Sequence, residues 1–196
     1  MKYIFCGFII FSIFAVNLTF SYASEYHDNK IKIIEESWNN IRTMSGNFLQ
    51  TNSDGTMTYG KFFLSKPFKS KFIYKNEEDI IVTNQSLIAV LDNEGFQLDS
   101  YPIGQSPLKD ILRDKVDLIH KDKKVIIKED EENYIAKIRF SNKPGEVELS
   151  FTKDDLTLKK WQIIDEFEQV TVLEFTKIKK NISINPEIYS IRYKKD

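Results

Sequence analysis

The stretch Tyr59-Gly60-Lys61-Phe62-Phe63-Leu64-Ser65-Lys66-Pro67-Phe68-Lys69-Ser70-Lys71-Phe72-Ile73-Tyr74 constrains the fold more than any other part of the chain. Gly60, Phe62 and Leu64 alternate along its first half. Phe72 and Tyr74 alternate with Lys71, Ile73 and Lys75 along its second. Successive side chains of a strand point to opposite faces, so a period of two means two strands, each with one ring-bearing face. Pro67 has no N–H to give to a ladder and belongs at the break between them. The pair presents one wall of rings, and later strands are expected to extend it.

The first residues have a different character. Lys2 is a short positive region, Tyr3 to Phe20 is apolar, and Ser21-Tyr22-Ala23 is a small-x-small site before Ser24. That order predicts a secretory leader over 1–23, cleaved to leave 24–196 as one mature domain. An apolar run of about eighteen residues is also just long enough for a membrane anchor, but no basic flank follows it. Cys6, the only cysteine, lies inside the apolar run and has no lipidation box before it, so the mature chain is expected to carry no lipid and no disulfide. About 170 residues suit a single domain with a sizeable core. The net charge is −1, which disfavours nucleic acid as a partner because phosphate neutralisation needs a basic surface.

In order, Asp28 or Asn29 caps an amphipathic helix whose stripe is Ile31, Ile34, Trp38 and Ile41, and Gly46 is expected to end it. Phe48 to Thr51 reads as a strand, with a hairpin turn at Asn52-Ser53-Asp54-Gly55. Ile80 to Thr83 and Leu87 to Leu91 are strands, the second apolar on both faces and so expected to be covered on both. Phe96 to Tyr101 returns. Ser106-Pro107 starts a short helix with Leu108, Ile111 and Leu112 on one side, too short to hold alone without an apolar surface beneath it. The rest reads as β: Val116–Ile119 against Val125–Ile127, then Tyr134 to Phe140, Val147 to Phe151, Leu156 to Asp165, Val170 to Ile178 and Tyr189 to Tyr193. Strands roughly 8–12 residues apart imply one large antiparallel sheet. Its outer face carries Lys and Glu, its inner face rings and Leu. An apolar face of that extent has to be covered, and only the two helices are on offer. Either a cavity remains, or the sheet closes on packed side chains.

The ordered series resembles the periplasmic outer-membrane lipoprotein carrier (LolA) family along essentially the whole mature chain. It comprises the N-terminal helix, Phe48-Leu49-Gln50, Gly60-Lys61-Phe62-Phe63-Leu64-Ser65-Lys66-Pro67 with Phe72-Ile73-Tyr74, Ile81-Val82, Leu91-Asp92, and Ser106-Pro107-Leu108 before Ile111-Leu112. It ends with Trp161-Gln162-Ile163-Ile164-Asp165 before Thr171-Val172, and Asn181 to Ile191. The Gly-x-Phe-x-Leu-x-(basic)-Pro stretch followed by Phe-x-Tyr is the strongest piece, and the order is more specific than any piece alone. The resemblance implies a mainly β fold: a single curved antiparallel sheet forming an incomplete half-barrel, covered by the N-terminal helix and a short helical lid. It implies an acyl-chain cavity lined by Phe48, Phe62, Leu64, Phe72, Tyr74, Leu87, Ala89, Leu91, Ile138, Phe140, Leu149, Phe151, Trp161 and Ile163, with a lid of Leu108, Ile111 and Leu112. It further implies a monomeric periplasmic carrier that takes lipoproteins from an inner-membrane lipoprotein-releasing ABC transporter and passes them to an outer-membrane acceptor. The family usually has arginine as lid latch where this chain has Lys66, a point charge without the planar fork. The turns at Asn84-Gln85-Ser86 and Asp165-Glu166-Phe167-Glu168 lack the usual glycine.

Other chemistries find little support. There is no Gly-x-Ser-x-Gly elbow, and neither His27 nor His120 sits near a nucleophile motif. No cluster has metal-ligand spacing, and the acidic runs at Glu77-Glu78-Asp79 and Glu129 to Glu132 read as solvated loops. No cofactor and no catalysis are expected. The competing readings are an acceptor-like scaffold or another acyl-chain or lipid-binding module of the same fold, and an enzyme on a barrel scaffold.

Overall fold

A computed structural model describes residues 28–75, 80–106, 108–120, 122–141 and 144–193. The expected leader and the loop 76–79 lie outside the described residues. Helix α1 spans 28–39, and its stripe does what the spacing predicts: Ile31, Ile34, Trp38 and Ile41 are all buried.

Eleven strands follow: β1 (Thr43–Thr51), β2 (Met57–Ser65), β3 (Lys69–Tyr74), β4 (Ile80–Asn84), β5 (Leu87–Leu91), β6 (Gln97–Pro102), β7 (Lys123–Glu129), β8 (Asn133–Phe140), β9 (Glu146–Thr152), β10 (Leu158–Ile164) and β11 (Val170–Lys180). They form one antiparallel sheet in the order β6-β5-β4-β3-β2-β1-β11-β10-β9-β8-β7. The two halves of the chain are thus joined where β1 meets β11, and β6 and β7 stay as open edges. The sheet does not close, and its architecture is that of an open half-barrel. Between β6 and β7 lie a 3-10 turn (Ile103–Gln105), the one-turn helix α2 (Leu108–Ile111) and an irregular run over 112–120. A second 3-10 turn, Pro186–Tyr189, precedes the C-terminus.

The register fixes the faces. Phe62 pairs with Phe72, Phe48 with Phe175, and Trp161 with both Leu149 and Leu173. These residues, with Leu64, Tyr74, Ile138, Phe140 and Phe151, join α1 and residues 111–118 in one buried cluster on the concave face. Phe48 meets Phe72 and Tyr74 edge-on at 5.3 and 5.1 Å, and Phe62 meets Phe175 at 4.8 Å. The close approach depends on Gly60, where a Cβ would stand 2.0 Å from the Ile73 carbonyl oxygen and 2.9 Å from the Phe48 ring.

The structure corrects the sequence reading in several places. Gly46 does not end α1. It sits inside β1, opposite Phe62, and a Cβ there would stand 2.7 Å from the Thr176 carbonyl oxygen and 2.9 Å from the Phe62 ring, so backbone and ring together leave no room for a side chain. Residues 116–119 are not a strand: β7 pairs with β8 alone, and Val116 and Leu118 pack into the concave cluster. The C-terminal residues form the 3-10 turn rather than a strand, with one parallel bridge of Arg192 to Phe96. Leu87, Ala89 and Leu91 do not line the concavity. Phe72 pairs with Ile81 and Ile81 with Val90, which turns the odd-numbered residues of β5 outward. There Ala89, Leu91 and Val82 form a second cluster with Tyr189, flanked by Phe63, Leu87, Ile184, Ile188 and Ile191. The C-terminal segment covers the outer face of β5, while Ile88 and Val90 on the other face stay half-buried outside the concave cluster, so the expected cover on both faces is met on one side only.

Candidate functional site

Of the residues expected to line a cavity, Phe48, Phe62, Leu64, Phe72, Tyr74, Ile138, Phe140, Leu149, Phe151 and Trp161 come together on the concave face, with Ile163 packed against them. The ring wall over 59–74 is therefore half of a single apolar surface, and β8–β11 supply the other half. Tyr74 keeps its hydroxyl satisfied by donating to Gln50 Oε1 at 2.8 Å.

Side chains of the protein itself fill this surface. Trp38 lies edge-on to Phe151 at 6.2 Å, and Ile111 and Leu112 are 2% and 0% exposed. The Leu108 side chain lies outside the described residues. Leu112 and Val116 follow α2 and continue the cover as irregular backbone, which leaves its polar groups to be satisfied by side chains.

Those side chains come from α1. The Trp38 indole N–H donates to the Ile111 carbonyl at 2.9 Å. The Asn39 amide both donates to the Val116 carbonyl and accepts from the Val116 N–H, each at 2.8 Å. The Glu35 carboxylate accepts from the Leu118 N–H at 2.6 Å, and Arg42 pairs with Asp114 at the surface. Among the described residues a backbone bond ties the segment to the β2–β3 turn, from the Phe68 N–H to the Leu112 carbonyl at 2.9 Å, and the Lys123 side chain of β7 donates to the Asp117 carbonyl. Periodicity did not reveal these fasteners. Glu35 and Asn39 are ordinary polar positions of an amphipathic helix, four residues apart on one flank of its stripe.

Lys66, expected as the latch, reaches α1 rather than α2. Its ammonium donates to the Trp38 carbonyl at 2.5 Å and stands 4.3 Å from the Trp38 ring centroid, over the π face. Burial, reinforced by the Arg42 charge and opposed by Asp114, brings its pKa down to about 7. The fastening is therefore a relay: Lys66 holds Trp38, and Trp38 holds Ile111.

Two cavities lie outside this core. One, of about 780 Å³, is bordered by Lys66, Pro67, Phe68, Ile103, Lys109 and Tyr189 at the α2 end of the sheet. The other, of about 800 Å³, runs across β11, β1, β2 and β3, mostly among outward-facing side chains such as Leu49, Tyr59, Lys61 and Ile73. Among the described residues there is no group of three or more His, Cys, Asp or Glu placed to hold a metal. None of the described helices is long and apolar enough to cross a membrane.

Residues 39–192 match the family described as outer membrane lipoprotein carrier protein LolA. The chain belongs to that family. Among solved structures it is similar to the Pseudomonas aeruginosa MucA/MucB complex, at 9% identity and a TM-score of 0.48 over 83% of this chain and 59% of that one. It thus spans about three fifths of that longer chain. It is also similar to the LolA superfamily protein NE2245 from Nitrosomonas europaea, at 10% identity and a TM-score of 0.44 over 81% of this chain and 96% of that one. A third is a putative outer membrane lipoprotein-sorting protein domain from Vibrio parahaemolyticus, at 7% identity and a TM-score of 0.46, covering 83% and 94%. No curated protein matches the chain. A LolA-family member with an apolar concave face is a binding module of that superfamily.

Proposed function

We propose that the protein is a periplasmic carrier that holds the acyl chains of lipoproteins against the concave face, with residues 108–118 as a displaceable lid. It receives its load from an inner-membrane ABC transporter and gives it up to an outer-membrane acceptor, after export by the leader. One observation supports the reading: the cover over the ring wall is a short, mostly irregular segment that pairs with no described strand and is fastened mainly by side chains, from α1 and from Lys123 of β7.

Magnitudes fit reversible carriage. Burying one methylene gains about 0.8 kcal/mol, so a chain of about fifteen methylenes gains roughly 12 kcal/mol if fully buried. Several chains buried without opposition exceed the practical ceiling of reversible affinity. A lid that fills the same surface when no load is present subtracts its own burial. The ligand then shifts the open state only by the difference between the two. Phe48, Phe62, Leu64, Phe72, Tyr74, Ile138, Phe140, Leu149, Phe151, Trp161 and Ile163 would touch the chains, and Ile111 and Leu112 would swing out.

The test is titration with a fluorescent fatty acid, together with mass spectrometry of protein purified from a Gram-negative periplasm. Saturable binding and co-purifying triacylated peptide are expected. No binding by the wild type, and none by a Trp38→Phe variant with a loosened lid, would overturn the carrier reading. Hydrolase activity in ligand-free material would favour an enzyme.

A further inference from the structure

Two hydroxyls face each other on the apolar concave face, where the Thr58 hydroxyl and the Trp161 indole N–H are also buried without a partner. Ser70 and Thr83 sit directly opposite each other on β3 and β4. They share the face of Phe72 and Ile81, two residues away in each strand, and Ser70 is also the register partner of Leu64. Their exposures are 1% and 0%, and neither hydroxyl has a hydrogen-bond partner. Facing Ser/Thr pairs ordinarily bond each other across the strands, and a buried polar atom without a partner is uncommon enough to need a reason. These two lie at the lid end of the sheet, next to the Lys66–Phe68 turn, where the Phe68 N–H holds the Leu112 carbonyl.

We infer that Ser70 and Thr83 form a polar subsite for the carbonyl oxygen of an ester-linked acyl chain, used when the lid is open. Each hydroxyl is a donor that the closed state leaves idle, and an ester carbonyl is an acceptor with no donor of its own. Position favours the match. A chain whose methylenes run along the ring wall begins, at its carboxyl end, near the rim, and these hydroxyls are the polar groups of the wall closest to the lid turn. The subsite would distinguish acylated cargo from bare hydrocarbon, because a hydrocarbon loses nothing when the hydroxyls are removed. The inference rests on the carrier reading and deepens it by naming the linkage that is recognised.

The experiment compares a fluorescent diacylglycerol with its ether-linked dialkyl counterpart, on the wild type and on the Ser70→Ala/Thr83→Val variant. The wild type is expected to bind the ester roughly tenfold more tightly than the ether, about 1.4 kcal/mol. The variant should bind both as the wild type binds the ether. Its melting temperature should stay level or rise, since idle hydroxyls are removed. Equal affinity of the wild type for both probes would overturn the subsite while leaving the carrier reading intact. So would an equal loss for both probes in the variant, or a clear fall in its melting temperature, which would reveal hydroxyls anchoring a structural water. Failure of both probes to bind the wild type would overturn the carrier reading and the subsite with it.

Discussion

The two faces of the sheet are both apolar in places and both covered, but the covers are fastened differently. On the outer face, the patch of Val82, Ala89 and Leu91 lies under the C-terminal segment. That segment is stitched to the sheet. The Tyr189 and Ser65 hydroxyls are 2.8 Å apart, the Gln97 N–H donates to the Arg192 carbonyl at 2.9 Å, and the Arg192 N–H donates to Gly95 at 3.0 Å. On the concave face a much larger apolar surface lies under residues 108–118, which are tied, among the described residues, by side-chain bonds from Trp38, Asn39 and Glu35 of α1, from Arg42 and from Lys123 of β7, and by a backbone bond to Phe68 in the β2–β3 turn. A cover whose buried area is mostly apolar and whose hydrogen bonds come mainly from side chains can exchange with another apolar body, because the hydrophobic term is non-directional and scales with area. A cover sewn into the ladder does not. On the proposed function, the concave face handles cargo and the outer cover closes the domain.

The largest expected effect tests this directly. Leu91→Ala, under the stitched cover, should cost about 2–5 kcal/mol of global stability, the usual range for such a buried truncation. Leu112→Ala, equally buried, should cost less, because its loss is capped by the free energy of opening the lid. Denaturant unfolding and hydrogen exchange check the pair: amides of 111–118 should exchange faster while those of β2 and β3 keep their protection. Uniform acceleration across the sheet would erase the distinction.

Next in size, Trp38→Phe keeps most of the packing but leaves the buried Ile111 carbonyl without its donor, at about 1–3 kcal/mol. The loss should appear as lid opening and tighter acyl-probe binding rather than as an earlier global melt. On the other cover, Tyr189→Phe should cost about 1 kcal/mol, read as a lower urea midpoint with unchanged probe affinity.

The smallest effect is one of pH. With its pKa lowered from 10.5 to about 7, chiefly by burial, Lys66 holds its proton less tightly in the closed protein than in the open or unfolded chain. Over that interval the open or unfolded state binds more protons, so stability rises with pH. The contribution is complete above 10.5 and is lost as pH falls toward about 7. The melting temperature of the wild type should climb relative to Lys66→Met between pH 7 and pH 9. Parallel curves would show that burial of Lys66 has no hold on closure.

Much of this could be read from the residues. Period-two alternation over 59–74 and 134–151 located strands and their apolar sides, and the stripe Ile31, Ile34, Trp38, Ile41 located α1 and its buried face. The missed features share a cause. Val116 and Leu118 are two apart and mimic a strand, but their backbone is bonded by Asn39 and Glu35, more than seventy residues earlier in the chain. Local pattern carries no record of such distant partners.

The sequence by itself determined which side chains must leave water and, within each strand, which of them share a side. It could not say which side of β5 turns inward, since Leu87, Ala89 and Leu91 are as apolar as Ile88 and Val90. Only the register running from Phe72 through Ile81 to Val90 settles that. The tertiary structure also decided that the concave face takes a loosely fastened cover and the outer face a stitched one. Both outcomes depend on pairings between distant segments, and hydrophobicity fixes how much surface is buried without fixing against what.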